Sequence, residues 1–188
     1  MTITTNDAAT ALHDVDSASH HSLTLFGYGL ASPFLLLWGV LWIVAGAVTA
    51  LSPDHAGMGW IVVDTVGIAG TGVLVASQSR RYGEEAGRSQ LWRCIATGAV
   101  LMAFVALTLS VFAPVSDAEV LTLIALVVAA AYAVAGCWAG GRYVAVGVAL
   151  AGVAIGLFHL APNLVPPVVP FVGGGTLILG GLWMRSAW

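Results

Sequence analysis

Residues 78–93 read QSRRYGEEAGRSQLWR and hold four of the chain's six basic residues, Arg80, Arg81, Arg88 and Arg93. The other two are Arg142 and Arg185, and there is no lysine. WIVVDTVGIAGTGVLVAS (60–77) precedes this stretch and LWRCIATGAVLMAFVALTLSVF (91–112) overlaps its end and continues beyond it. Each flank is about as long as a helix needs to cross a hydrocarbon core. A short basic loop between two such runs is the signature of a connection between transmembrane helices.

Composition extends that reading to the whole chain. Of 188 residues, 59% are hydrophobic and 8% charged, and the mean hydropathy is +0.96. A soluble domain carries about a quarter charged residues, so a water-exposed surface could hardly be built from this set. The apolar runs are continuous rather than alternating, which predicts helices instead of a lipid-facing barrel. The expected fold is an all-α polytopic bundle of six transmembrane helices arranged as three hairpins.

The predicted spans are about 33–52, 59–77, 92–112, 119–138, 143–161 and 168–184. The first begins at Ser32-Pro33, because serine is a good cap and proline fits the first helical turn. The alternative is one long tilted helix through Pro33. The sixth has a weak entry, with Pro170 followed by Gly173, Gly174 and Gly175, and an unwound start is possible where protein satisfies the backbone. Residues 1–22 contain Asp7, Asp14 and Asp16, no Lys or Arg and no apolar core. They read as a disordered acidic tail rather than a signal peptide, and residues 23–188 as a single membrane domain.

With six spans, every arginine falls on one side. The positive-inside rule makes that side cytoplasmic, with both termini there, in a bacterial-type inner (plasma) membrane. Arg185 argues for the sixth span, since five would break the pattern. Trp92, Trp138, Tyr143 and Trp183 then lie near the inner face and Trp60 near the outer one.

The outer connections share a pattern. Leu51-Ser52-Pro53, Phe112-Ala113-Pro114 and Leu160-Ala161-Pro162 each join an apolar residue, a small residue and proline, and proline halts a helix there. Residues 38–77 align without a gap on residues 147–186, with Pro53 on Pro162 and Gly72 on Gly181. Small residues supply the expected packing faces: Ala145, Ala149, Gly152 and Gly156 form one stripe on the fifth helix, and Gly136 and Gly140 recur near the end of the fourth.

WGVLWIVAGAV with Leu51-Ser52-Pro53 and VGIAGTGVLVAS, and GVALAGVAIG with Leu160-Ala161-Pro162 and GGGTLILGGLWMR, resemble the hairpins of the HdeD-like acid-resistance membrane proteins. The likeness spans residues 36–185. It implies a small six-helix protein linked to acid or envelope stress, with no established reaction.

Chemistry-bearing residues are few. Asp64, in WIVVDTVG, lies inside the second span, where an ionisable group is costly and suggests function by default. His55 and His159 lie at a similar outer level and can converge with it, as a proton path, a pH sensor or a metal site. The bland alternative is an interfacial acid and two separate histidines. His13, His20 and His21 sit at the inner entrance, too far from His159 to share a haem iron. No hydrolase, zinc-protease, phosphate-loop or dinucleotide motif is present, and no cofactor is expected. Cys94 and Cys137 match no metal spacing and read as small buried side chains. The chain lacks a nucleic-acid footprint. Membrane lipids, further copies of the chain or another membrane protein are the expected partners.

Function is therefore expected to be non-enzymatic, stress-related or structural. The alternatives are a small proton- or ion-coupled transporter or channel using Asp64 and His159, and an accessory subunit of a larger membrane complex.

Overall fold

In a computed structural model, the described residues are 5–82, 84–113 and 116–186, with side chains described for 25, 27–80, 96–113 and 116–186. They form helices α1 (Thr5–Leu51), α2 (Ala56–Tyr82), α3 (Glu84–Phe112), α4 (Asp117–Ala139), α5 (Gly141–Leu160) and α6 (Val165–Arg185). Short 3-10 turns, Pro53–His55 and Pro162–Leu164, precede α2 and α6. No strand occurs among the described residues. Five helices contain stretches long and apolar enough to cross a membrane: Gly27–Leu51, Pro53–Arg80, Asp117–Ala139, Gly141–Leu160 and Pro162–Arg185. The remaining helix, α3, contributes the apolar segment Ala96–Phe112.

α1 corrects the expected start of the chain. It is one helix of 47 residues with Pro33 inside it, so the predicted boundary at Pro33 and the predicted disordered tail over residues 1–22 do not hold from Thr5 onward. At about 1.5 Å per residue the helix is roughly 70 Å long, more than twice a hydrocarbon core of about 30 Å. Neighbouring helices hold the segment around the proline. Pro33 withdraws one backbone donor from the turn before it. Close by, the Tyr143 hydroxyl donates to Gly27 O (3.1 Å) and Gln78 Nε2 donates to Leu30 O (2.9 Å). The Ser32 hydroxyl, buried beside the proline, donates to Gly181 O at 2.8 Å. Tertiary bonds thus hold the segment around Pro33 against its neighbours.

α6 is helical from Val165, earlier than the predicted 168 and without an unwound entry. Pro166 and Pro167 fall in the first turn, where a missing N–H costs nothing because those donors have no intrahelical partner. Pro170 removes a single bond further in.

α1 and α6 form the most extensive pair, α4 and α5 the next. α2 packs on α1, α5 on α6, and α3 lies mainly against α2. Leu35, Leu150, Val165, Val169, Leu177 and Met184 fill the buried centre. Without a hydrophobic drive between helices in lipid, close backbone approach must supply the contact energy, and glycine permits it. A Cβ on Gly39 would stand 2.7 Å from Gly174 O, and one on Gly174 would stand 2.5 Å from Gly39 O. On the other pair, a Cβ on Gly147 would stand 2.5 Å from Ala129 O. α4 and α5 join through Gly140 alone, at φ 112° and ψ 157°, a conformation essentially restricted to glycine.

The first and third of the proline-marked turns have one geometry. Ser52 (φ −144°, ψ 73°) and Ala161 (φ −154°, ψ 70°) both lie outside the helical region, which the following proline disfavours. Ser52 N–H donates to Val48 O and Ala161 N–H to Leu157 O, at 2.8 and 2.9 Å. His55 N–H then donates to Ser52 O and Leu164 N–H to Ala161 O, at 3.0 and 2.9 Å. The buried pairs Leu41 and Ala45 on α1, and Leu150 and Ala154 on α5, keep the same sequence offset. The middle turn differs. Ala113 takes a positive φ of 43°, residues 114 and 115 lie outside the described set, and α4 starts from a Ser116–Glu119 capping box. The hairpin resemblance is therefore structural for the first and third units, and the middle one does not share their turn.

Candidate functional site

The predicted outer cluster does not assemble. His55 is exposed, and its Nδ1 lies 3.0 Å from Ser52 Oγ in its own turn. His159 is exposed on α5, its ring 5.4 Å from that of Phe158. α2 and α5 share no packed face, since contact between them passes through α1 and α6. The fold therefore does not pack Asp64 of α2 against His159 of α5, and the described residues contain no group of three or more His, Cys, Asp or Glu able to hold a metal. The side chains of His13, His20 and His21 lie outside the described set. Cys137 is exposed rather than buried, and Cys94's side chain is not among those described.

Asp64 keeps an unusual position. The stripe of α2 that meets α1 bonds across at three levels. Trp60 Nε1 donates to Thr49 Oγ1 (3.2 Å), Thr71 Oγ1 accepts from Trp38 Nε1 (3.2 Å), and Gln78 reaches Leu30 O. Asp64 stands one turn after Trp60 and one turn before Gly67, on whose Cα a Cβ would stand 2.7 Å from the Trp38 ring. It is half-buried and makes no hydrogen bond or ion pair with the described residues.

The expected packing stripe on α5 faces away from the bundle. Ala145, Ala149 and Gly152 are exposed, Gly156 is half-buried, and a Cβ on Gly152 or Gly156 would meet nothing within 4 Å. The bundle uses the opposite side, through Tyr143, Val146, Gly147, Leu150 and Ala154. Gly136 does pack as expected, with Val144 N 2.7 Å from where its Cβ would be.

A second polar cluster, not foreseen as a unit, gathers at the arginine end. Tyr28 of α1, Arg142 and Tyr143 of α5 and Trp183 of α6 meet there. The Tyr28 and Tyr143 rings are 5.6 Å apart. The Tyr28 hydroxyl accepts the Arg142 backbone N–H at 3.4 Å, so α1 caps the otherwise unsatisfied start of α5. The sequence signal was the placement of Tyr143, Trp183 and Arg142 at one interface. Their convergence with Tyr28 spans most of the chain and has no local pattern.

One buried atom stands out. Thr122 Oγ1 on α4 is the only fully buried side-chain N or O without a hydrogen-bond partner among the described residues. Leaving a hydroxyl so costs about 1–3 kcal/mol. Thr122→Val keeps the branched shape and removes the oxygen. It is expected to raise stability by about 1 kcal/mol, read as a higher midpoint of thermal unfolding in detergent. A lower midpoint would show that the hydroxyl has a partner.

These helices and their glycine contacts define a polytopic membrane helix bundle. Comparison with protein families, with curated proteins and with solved structures gives no match.

Proposed function

We propose that this chain is a structural, non-catalytic membrane protein that works through helix contacts, with its arginine end in the cytoplasm of a bacterial-type inner membrane. The observation that carries this reading is the use of the polar side chains. Ser32, Trp38, Trp60, Gln78 and Tyr143 each bond one helix to another, while glycines bring the helix backbones together. Both features serve assembly of helices. The glycine- and proline-marked hairpins further suggest a role under acid or envelope stress, as the HdeD-like pattern implies. Its partners would be lipids, further copies of the chain or other membrane proteins, the last making it an accessory subunit.

A second reading, proton or ion transport, is favoured by Asp64 alone, because an acid inside a span with no bonded partner among the described residues is expensive to keep. Flux across proteoliposomes at several pH values separates the two. The structural reading expects wild type and Asp64→Asn to show the same background leak. Proton or ion flux in wild type that vanishes in Asp64→Asn would overturn it. Cysteine labelling of both termini in intact cells tests orientation independently.

A further inference from the structure

At the arginine end, the bundle places a cation against two rings and a carbonyl, with no described carboxylate paired to it. The Arg142 guanidinium lies 5.4 Å from the centre of the Tyr28 ring and 4.8 Å from that of Trp183. Its Nη1 donates to Trp183 O. The Tyr28 and Tyr143 hydroxyls tie the same corner of α5 to α1. Two rings and one carbonyl lie around the guanidinium, and its remaining N–H groups are donors for a ligand. Arg142 is half-buried. It makes no ion pair with a described carboxylate, although a partly desolvated charge ordinarily takes a counter-charge.

Position restricts what that counter-charge is. The apolar stretches Gly27–Leu51, Gly141–Leu160 and Pro162–Arg185 each have one end at this corner, which on the membrane-spanning reading puts the guanidinium at headgroup depth. Exposed Arg185 follows Trp183 on α6 and adds positive potential. Planar guanidinium matches phosphate oxygens with paired hydrogen bonds, and basic recesses between helices on the cytoplasmic side suit anionic headgroups.

We propose that Arg142, held between Tyr28 and Trp183, binds the phosphate of an anionic lipid headgroup. The proposal rests on the reading that these helices cross a membrane with the arginine end at its surface. Free phosphate offers the same chemistry, and the test separates the two.

The full chain is reconstituted in vesicles of phosphatidylglycerol and phosphatidylcholine, released, and its retained lipids counted by native mass spectrometry. Wild type is expected to retain phosphatidylglycerol preferentially. Arg142→Gln is expected to lower that preference about tenfold, the scale of one charge-assisted pair, and Arg142→Lys to lower it partly. Arg185→Gln is expected to keep most of it. An unchanged preference in Arg142→Gln, or an equal loss in Arg185→Gln, overturns the site. Displacement of the lipid by excess inorganic phosphate assigns the site to the free ion and also overturns the proposal. Should Arg142→Gln fail to fold, Trp183→Leu carries the test: it removes one ring, and an unchanged preference sinks the idea. Failure of wild type to enter vesicles would instead refute the membrane reading.

Discussion

Gly174→Leu is expected to leave no folded bundle, and Gly174→Ala to cost about 3 kcal/mol, the upper part of the range for overpacking a close contact. The first Cβ on Gly174 would lie 2.5 Å from Gly39 O, 2.9 Å from Ile43 Cγ1 and 3.2 Å from Ile43 N. Two of these atoms are backbone, so a rotamer change cannot clear the space and α1 must move off α6. That movement would strain the buried Ser32–Gly181 bond on the same interface. Gly175 is the matched control, because its Cβ would meet nothing within 4 Å. Gly175→Ala should unfold at the wild-type temperature or slightly above it, since alanine favours the helix. Thermal unfolding in detergent, followed by tryptophan fluorescence, reads both. The contact is reciprocal: each new Cβ strikes the other residue's carbonyl. Once one alanine has pushed the helices apart, the second finds part of its space already made. Gly39→Ala combined with Gly174→Ala should therefore cost less than the two single changes together. Equal melting of Gly174→Ala and Gly175→Ala would refute the backbone contact.

The helices themselves were legible because apolar length and proline act locally. The predicted spans at 119–138 and 143–161 fall within two residues of α4 and α5. Pro53 and Pro162 mark the turns before α2 and α6 through a restriction on the residue before each of them. Pro33 misled for the opposite reason. Its local preference is a helix start, but Gln78, Tyr143 and Gly181 bond the surrounding turn from elsewhere in the chain. Nothing near Pro33 announces them.

The candidate site was harder to read, because topology does not give adjacency. Asp64, His55 and His159 share a depth by hydropathy, yet α1 and α6 separate α2 from α5. The face of α5 was ambiguous in principle. In water a buried face is apolar and an exposed one polar, whereas in lipid both are apolar. Ala145, Ala149, Gly152 and Gly156 and the line through Gly147, Leu150 and Ala154 are equally plausible as sequence. The helices around them decide.

That choice yields the second large effect. Gly147→Leu is expected to destroy the α4–α5 pair, and Gly152→Leu, five residues further along the same helix, to leave folding intact. A Cβ on Gly147 would lie 2.5 Å from Ala129 O and 2.9 Å from Ala133 N, so leucine would drive its whole side chain into the α4 backbone. At Gly152 the space is open, and leucine would only enlarge a surface that already carries exposed Val148 and Ile155. The contrast is sharp because helix propensity and change in apolar volume are matched in the two variants. Only the neighbour differs. Wild-type melting of Gly147→Leu would mean that α5 is turned the wrong way in this fold. Gly152→Leu also bears on function. If helix contacts are how the protein acts, blocking this small outward face should weaken self-association on native gels while the melting temperature stays put. Self-association that survives the leucine would take the outward face of α5 out of that role and leave the surfaces of α2 and α3 to carry it.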